Sequence, residues 1–444
     1  MPVFTSSIEV TADYPTIKPS LNLNFARSRS LDPRITFTRA STATYVGRDG
    51  LIKTAGEDEA RFDHDPDTLE SLGLLLEESR TNYLGNSEML ANWNFGVAGD
   101  AFTASSGSQL STNPDGSSPA YHYVPSSTAG LHRFNRPVTV PTLDTNYVVS
   151  LFVKRVTAGS VSNLNRFVEL EVTGAFGANT PGTGQSGVTG GSSVTFDMEN
   201  LVIETQTNNS DGYVGDAKIE PYPNGWYRLS YVFNPGIGTQ FTGYVWWGHC
   251  SALADDTNET GNDNPSFYFW GASVENGSFI SSHIPTPANS SVTRAADFAT
   301  ILGESFNSFF NPYESTLYAS VVSNGTSNGG IIGIDRTDGV TYIDPIYTGS
   351  TITFYGSGGP GNKPRSGDGR DKLIQTWNDT GDTQSFTANG ATPSSYTFTS
   401  AIAPDKLSIG RYSYAGGNFF NGRISEVRYY GKALPDAQLQ LLTS

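Results

Sequence analysis

The sequence predicts an all-β fold, and three observations carry that expectation. Short runs rich in β-branched and aromatic residues recur along the chain, each closed by Gly, Ser, Asn or Pro. No helical pattern intervenes between them, as it would in a parallel α/β sheet. Aromatics reach 12% and charged residues only 16%, with 48 glycines and 3 methionines, a mixture that suits pleated strands joined by polar turns.

The elements follow in order. Residues 1–84 read as an N-terminal arm or small β subdomain that needs a partner to complete its core. Within it, LNLNFARS alternates so that Leu21, Leu23 and Phe25 share a face. The stretch 35–55, with Ile35, Phe37, Tyr45 and Val46 and a GRDG turn at 47–50, reads as a hairpin. LGLLLEES reads as a strand buried on one side.

Residues 85–285 read as a first β-sandwich, jelly-roll-like, from strand patterns at 147–155, 166–172, 192–198, 226–233, 242–249 and 266–275. A linker is expected at 286–300, in the proline-bearing SHIPTPANSSVTRAADFAT. Residues 301–444 read as a second sandwich, with patterns at 315–323, 330–336, 350–356, 372–379, 384–390, 406–412 and 419–431. A short amphipathic helix in ALPDAQLQLLTS closes it. At 444 residues the chain has room for these units.

The net charge of −16 repels a phosphate backbone, so no nucleic-acid partner is expected. No apolar run approaches the roughly 18 residues of a membrane helix, so no membrane insertion is expected. The opening MPVFTSSIEVTADYPTIKPS has neither a basic nor an apolar signal region, which predicts synthesis and folding in a cytoplasm. A single cysteine, Cys250, excludes an intrachain disulfide framework and reads as a small buried side chain.

Three stretches resemble a known family. RITFTRASTATYVGRDGLIKTAGEDEARFDHDPDTLESLGLLLEESRTN, at 34–82, is similar to a module of bacteriophage virion proteins, notably tail fibres and related appendages of marine phages and cyanophages. NGWYRLSYVF with FYFWGASVENGSFISSHIPTPANSSVTRAAD, within 224–297, resembles the sandwich that follows that module. NGRISEVRYYGKALPDAQLQLL, at 421–442, resembles the last strand and helix of concanavalin A-like or laminin-G-like domains. The resemblance implies a virion component on a tail or other surface appendage, made in the host cytoplasm and built of lectin-like sandwiches as a homotrimer. It implies contacts with other virion proteins through the N-terminal module, and no catalytic residues.

RFDHDPDT concentrates Asp63, His64, Asp65 and Asp67. Neighbouring side chains of an extended strand diverge and Pro66 forces a bend, so an Asp-rich turn is expected rather than a metal centre. Glu169 with Glu171, and Asp197 with Glu199, have the spacing of a glycosidase pair, but acids on an outward strand face are ordinarily solvated. No GxSxG elbow occurs. No cofactor is expected other than calcium, whose hard-oxygen ligands would be Asp335, Asp338 and Asp344. Asp368 with Asp371, and the loop bearing Asp255, Asp256, Glu259 and Asp263, offer similar chemistry.

For host-surface glycan the candidates are Tyr412, Tyr414, Asn418, Phe419 and Trp247. Of the adjacent Trp246 and Trp247, one should face the core and the other outward. Tyr121, His122 and Tyr123 form a further aromatic group. The expectation is a non-enzymatic tail-fibre adhesin. A capsid or tail decoration protein without receptor binding is the alternative, and a glycan depolymerase with Glu169 or Glu171 as its acids ranks after that.

Overall fold

The computed structural model describes residues 15–28, 30–88, 93–141, 144–158, 165–175, 189–204, 213–236, 241–250, 259–324, 329–337, 341–355, 360–379, 381–397, 403–411 and 418–444. Strands Tyr147–Arg155 and Trp226–Phe233 form over the residues that the pattern marks out. Their apolar side chains are β-branched or aromatic, and pack well on a pleated surface.

The first sandwich is two antiparallel sheets. One orders strands Tyr213–Tyr222, Trp226–Phe233, Tyr147–Arg155, Phe267–Asn276, Tyr121–Val124 and Ala101–Ala104. The other orders Val202–Glu204, Thr189–Asp197, Phe167–Ala175, Phe241–Cys250, Arg133–Val140 and Asn94–Phe95. Between them lie Val149, Leu151, Val168, Leu170, Val245 and Trp247, all fully buried.

The second sandwich uses both ends of the chain. Strand Gly422–Tyr430 pairs along one side with Glu314–Ser323. Along its other side it takes Leu21–Asn24 and then Ser71–Leu76, end to end. In the facing sheet, Thr36–Thr38 pairs with Phe298–Leu302, which pairs in turn with Lys406–Ile409. Leu21, Leu23, Phe25, Leu74 and Leu76 therefore share one core with Ile301, Ile334, Trp377 and Tyr429. Helix Asp436–Thr443 covers the outer face, with Leu439 buried against Tyr318, Ile374 and Tyr430.

Strands Leu21–Asn24, Thr36–Thr38, Arg61–His64 and Ser71–Leu76 are thus part of the second sandwich rather than a separate arm. The partner their core needs is the C-terminal half of the same chain, and LGLLLE is buried on both faces because it lies inside that sheet. The first sandwich is an insertion between strands Ser71–Leu76 and Phe298–Leu302. The 286–300 stretch is correspondingly not a free linker. Val292–Arg294 pairs with Arg80–Asn82 in the first sandwich, and Phe298–Leu302 belongs to the second.

The two crossings between sandwiches, near residues 77 and 297, are locked together by charge. The Asp297 N–H donates to the Glu77 carbonyl at 2.9 Å. Arg61 donates to Glu77 at 2.8 Å and also to Asp297. Arg39 reaches Asp297 at 3.0 Å, and Arg294 donates to Glu77. Ser282 completes the set, its N–H and hydroxyl donating to the two Glu77 oxygens at 2.8 and 2.7 Å. These charged side chains are at most 1% exposed.

The hairpin of Ala43–Val46 and Ile52–Ala55 bridges the two units as well. Ile52 packs with Phe152, Trp226 and Trp270 on the outer face of the first sandwich. Its turn ends at Gly50, with φ +76°, where a Cβ would come within 2.3 Å of Pro223. Both the left-handed backbone and the close approach require glycine there.

Burial disfavours the charge of Glu77, but the Arg294 and Arg61 guanidinium groups and the Ser282 donors outweigh it and hold the acid far below its ordinary 4.5. A depressed carboxyl contributes stability above its unfolded value and loses it as pH falls. Arg61→Met, which leaves buried carboxylates short of a partner, is expected to lower unfolding free energy at neutral pH by about 3–5 kcal/mol. Urea denaturation across pH should show that gap closing as wild type loses stability below about pH 4.5. A gap independent of pH, or none at pH 7, would contradict the assignment.

Candidate functional site

A strand alternates its side chains, so only one of two adjacent tryptophans can face the core. Trp247 is that one, with its ring 4.5 Å from Trp93 and stacked at 5.9 Å on Phe134. It shares the inward face of its strand with Phe241 and Val245, all fully buried. The glycan contact expected of Trp247 therefore cannot be made there, because no face of that ring reaches solvent.

Trp246 lies on the outward face. Strand register sets it between Asn135 and Glu171. Its indole N–H donates to the Thr173 hydroxyl at 2.9 Å. The Arg133 guanidinium lies 4.2 Å from the ring centroid and donates to Glu171 at 2.8 Å. Two residues earlier, Tyr244 is 46% exposed, its ring 6.0 Å from that of Trp246. The cation–π contact and the Thr173 bond fix Trp246, and Tyr244 projects beside it. An aromatic surface ringed by guanidinium, carboxylate, amide and hydroxyl groups can stack on the C–H face of a sugar while bonding its hydroxyls.

Glu171 and Asp197, one carboxylate from each expected pair, are held in ion pairs. Glu171 is engaged by Arg133, as above. Burial alone would raise Asp197, but Arg166 and the donors of Asn200 and Glu199 hold it down to about 2. At that value it is ionised at neutral pH and is unsuited to general-acid work.

The Asp-rich turn is structural. Asp63 is buried, accepts the Val46 N–H at 2.7 Å and pairs with Arg423 at 2.7 Å. His64 Nδ1 contacts the Val46 carbonyl at 3.2 Å. Asp65 accepts the N–H groups of Asp67 and Thr68 at 3.0 and 2.8 Å. Burial pushes Asp65 upward, yet the Thr68 donors outweigh it and leave it below the usual carboxylate range.

Of the calcium candidates, Asp335 and Asp344 are both fully buried, on neighbouring strands where Ile334 pairs with Ile343. Neither Asp335 oxygen has a hydrogen-bond partner among the described residues. Asp338 lies outside the described residues, and no cluster of three metal-ligating side chains occurs within them. The unpartnered Asp335 oxygens fit a hard cation such as calcium, and Asp335, with Asp344 on the neighbouring strand, would hold it. Asp371 is already occupied, accepting the Tyr347 hydroxyl at 2.6 Å and the Ser366 N–H at 2.7 Å. Asp263 is engaged too, accepting the Ser127 N–H at 3.0 Å.

Tyr412, Tyr414, Asp255 and Asp256 lie outside the described residues, as do the side chains of Cys250 and Glu259. Asn418 and Phe419 are half-buried and pack beside Gly330, whose N–H donates to the Asn418 carbonyl at 3.3 Å. Tyr123 donates to Asp100 in the core, and His122 is buried edge-on to Tyr268 at 5.7 Å. Only Tyr121 of that group is exposed, at 42%.

No family model matches the chain, and no curated protein matches it. Among solved structures it is similar to the receptor-binding domain of botulinum neurotoxin mosaic serotype C/D, at 10% identity over 33% of this chain and TM-score 0.25; the chain spans 39% of that domain's length. It is similar to a candidate carbohydrate-binding protein from Bacteroides ovatus, at 12% identity over 68% of this chain and 80% of the other, TM-score 0.26. It is similar to domains LG4-5 of mouse laminin alpha1, at 12% identity over 80% and 94%, TM-score 0.24. Likenesses this slight carry no argument about function.

Proposed function

We propose that the chain is a non-enzymatic, lectin-like binding protein whose glycan contact is the outward face around Tyr244 and Trp246. The observation that carries this reading is an exposed tyrosine beside a tryptophan pinned by Arg133 and Thr173, on a sheet face rich in hydrogen-bonding groups. The two rings lie side by side rather than scattered, and an aromatic pair on an outer sheet face is a surface on which a sugar ring can stack. The resemblance of 34–82, 224–297 and 421–442 to phage appendage proteins supports a virion setting, as a homotrimeric tail fibre or adhesin that reads host-surface glycan. With strands Leu21–Asn24 and Ser71–Leu76 inside the second sandwich, attachment to other virion proteins falls to outer surfaces of that unit. The decoration reading draws on one observation, the consecutive exposed residues Leu201, Val202 and Ile203, an apolar strip suited to a protein contact.

A calcium ion between Asp335 and Asp344 belongs to the same proposal, as a brace for the second sandwich. Added Ca²⁺ is expected to raise the melting temperature of wild type and not of Asp335→Asn. Equal responses, or none in wild type after chelation, would remove calcium from the account.

Labelled protein on host cells separates the two tryptophan-region roles. Tyr244→Ala should leave unfolding free energy within about 0.5 kcal/mol of wild type while weakening cell labelling about tenfold or more. Trp247→Ala should cost about 3–5 kcal/mol of stability as a core cavity. Undiminished labelling by folded Tyr244→Ala would sink the face as the glycan site. Absence of labelling by wild type would favour the decoration role.

A further inference from the structure

Beside the junction the two sandwiches leave a cleft of about 440 Å³, within the ~300–1,000 Å³ range of small-ligand pockets. One wall is the strand Tyr213–Tyr222 of the first sandwich, through Lys218, Glu220 and Tyr222. The other is built from the second sandwich, through Asp63, Asn324, Arg370 and Arg423. The cleft exists because one unit is inserted in the other. It lies on the sheet opposite to that of Tyr244 and Trp246.

The polar groups of this cleft are partly spent and partly open. Asp63 is saturated by the Val46 N–H at 2.7 Å and by Arg423 Nε at 2.7 Å, which fixes the guanidinium. The Asn324 side-chain oxygen accepts from Arg423 and its backbone N–H donates to the Asn421 carbonyl at 2.9 Å, while its side-chain N–H groups have no partner among the described residues. The Tyr222 hydroxyl likewise has none among them, although its ring is held edge-on to Phe152 at 4.9 Å. Arg370 is held only loosely, 3.5 Å from Glu70 with both side chains about half exposed.

Carboxylates and cations line the cleft in equal number, so no net field selects an ion. What remains is an aromatic wall with convergent, unsatisfied hydrogen-bonding groups and fixed charges behind them. Those features match a compact, uncharged, hydroxyl-rich ring. We infer that this cleft is a second binding site, for a single neutral sugar ring, separate from the Tyr244–Trp246 face. It stands whether or not that face binds glycan.

Saturation-transfer-difference NMR on the full chain tests this, with the methyl glycosides of glucose, galactose and mannose as probes. Wild type is expected to transfer magnetisation to at least one of them. Asn324→Ala and Tyr222→Phe, which remove one open group each and leave the core intact, should each weaken binding about tenfold. Tyr244→Ala should leave it unchanged. No transfer to any of the three, or transfer that both cleft substitutions spare, would overturn the inference. Transfer that only Tyr244→Ala removes would overturn it too, while supporting the outer face.

Discussion

The joining of the two sandwiches depends on the buried contact of Arg61 with Glu77 and Asp297. The two acids stand at the points where the backbone leaves the second sandwich and returns to it, and Arg61 reaches both. Desolvating several charges is expensive, and such a cluster is tolerable only when nearly every donor and acceptor is matched. Here Ser282, the Thr44 carbonyl and the Glu77 N–H supply the additional partners. Correct pairing is therefore a condition for seating the insertion, which gives the network a role in fixing orientation between the two units as much as in stability.

That orientation places the two proposed sites. The first sandwich shows one sheet to the junction and hairpin and the other to the outside. The junction sheet contributes Tyr222 to the cleft and receives Ile52. The outer sheet carries Tyr244 and Trp246, with Tyr244 exposed. The layout sets the proposed aromatic face and the proposed cleft on opposite sides of the first sandwich.

The sequence made local features legible and non-local ones obscure. Alternation identified Leu21, Leu23 and Phe25 as one face, and all three are core residues. The turn chemistry of DPDT likewise identified the Asp65 turn. Nothing local, however, says that Leu21 pairs with Tyr429, because strand partners four hundred residues apart leave no periodic trace. The arm and linker expected at 1–84 and 286–300 are the result of that blindness, since short strands interrupted by prolines look the same in a linker and in a sheet edge. The choice between Trp246 and Trp247 was legible and was missed. Phe241, Val245 and Trp247 keep one parity while Thr242, Tyr244 and Trp246 keep the other, and the uniformly apolar set marks the core. Buried arginines such as Arg61 and Arg294 gave no signal on their own, because charged residues read as surface until a partner is known.

The most direct test of the architecture is hydrogen exchange of the intact protein followed peptide by peptide. Leu21–Asn24 and Ser71–Leu76 should exchange as slowly as Gly422–Tyr430, with which they share a ladder, and should lose protection together with it. Rapid, independent exchange of the N-terminal strands while Gly422–Tyr430 stays protected would show a detachable arm, and would contradict the inserted fold from which the proposed cleft is built.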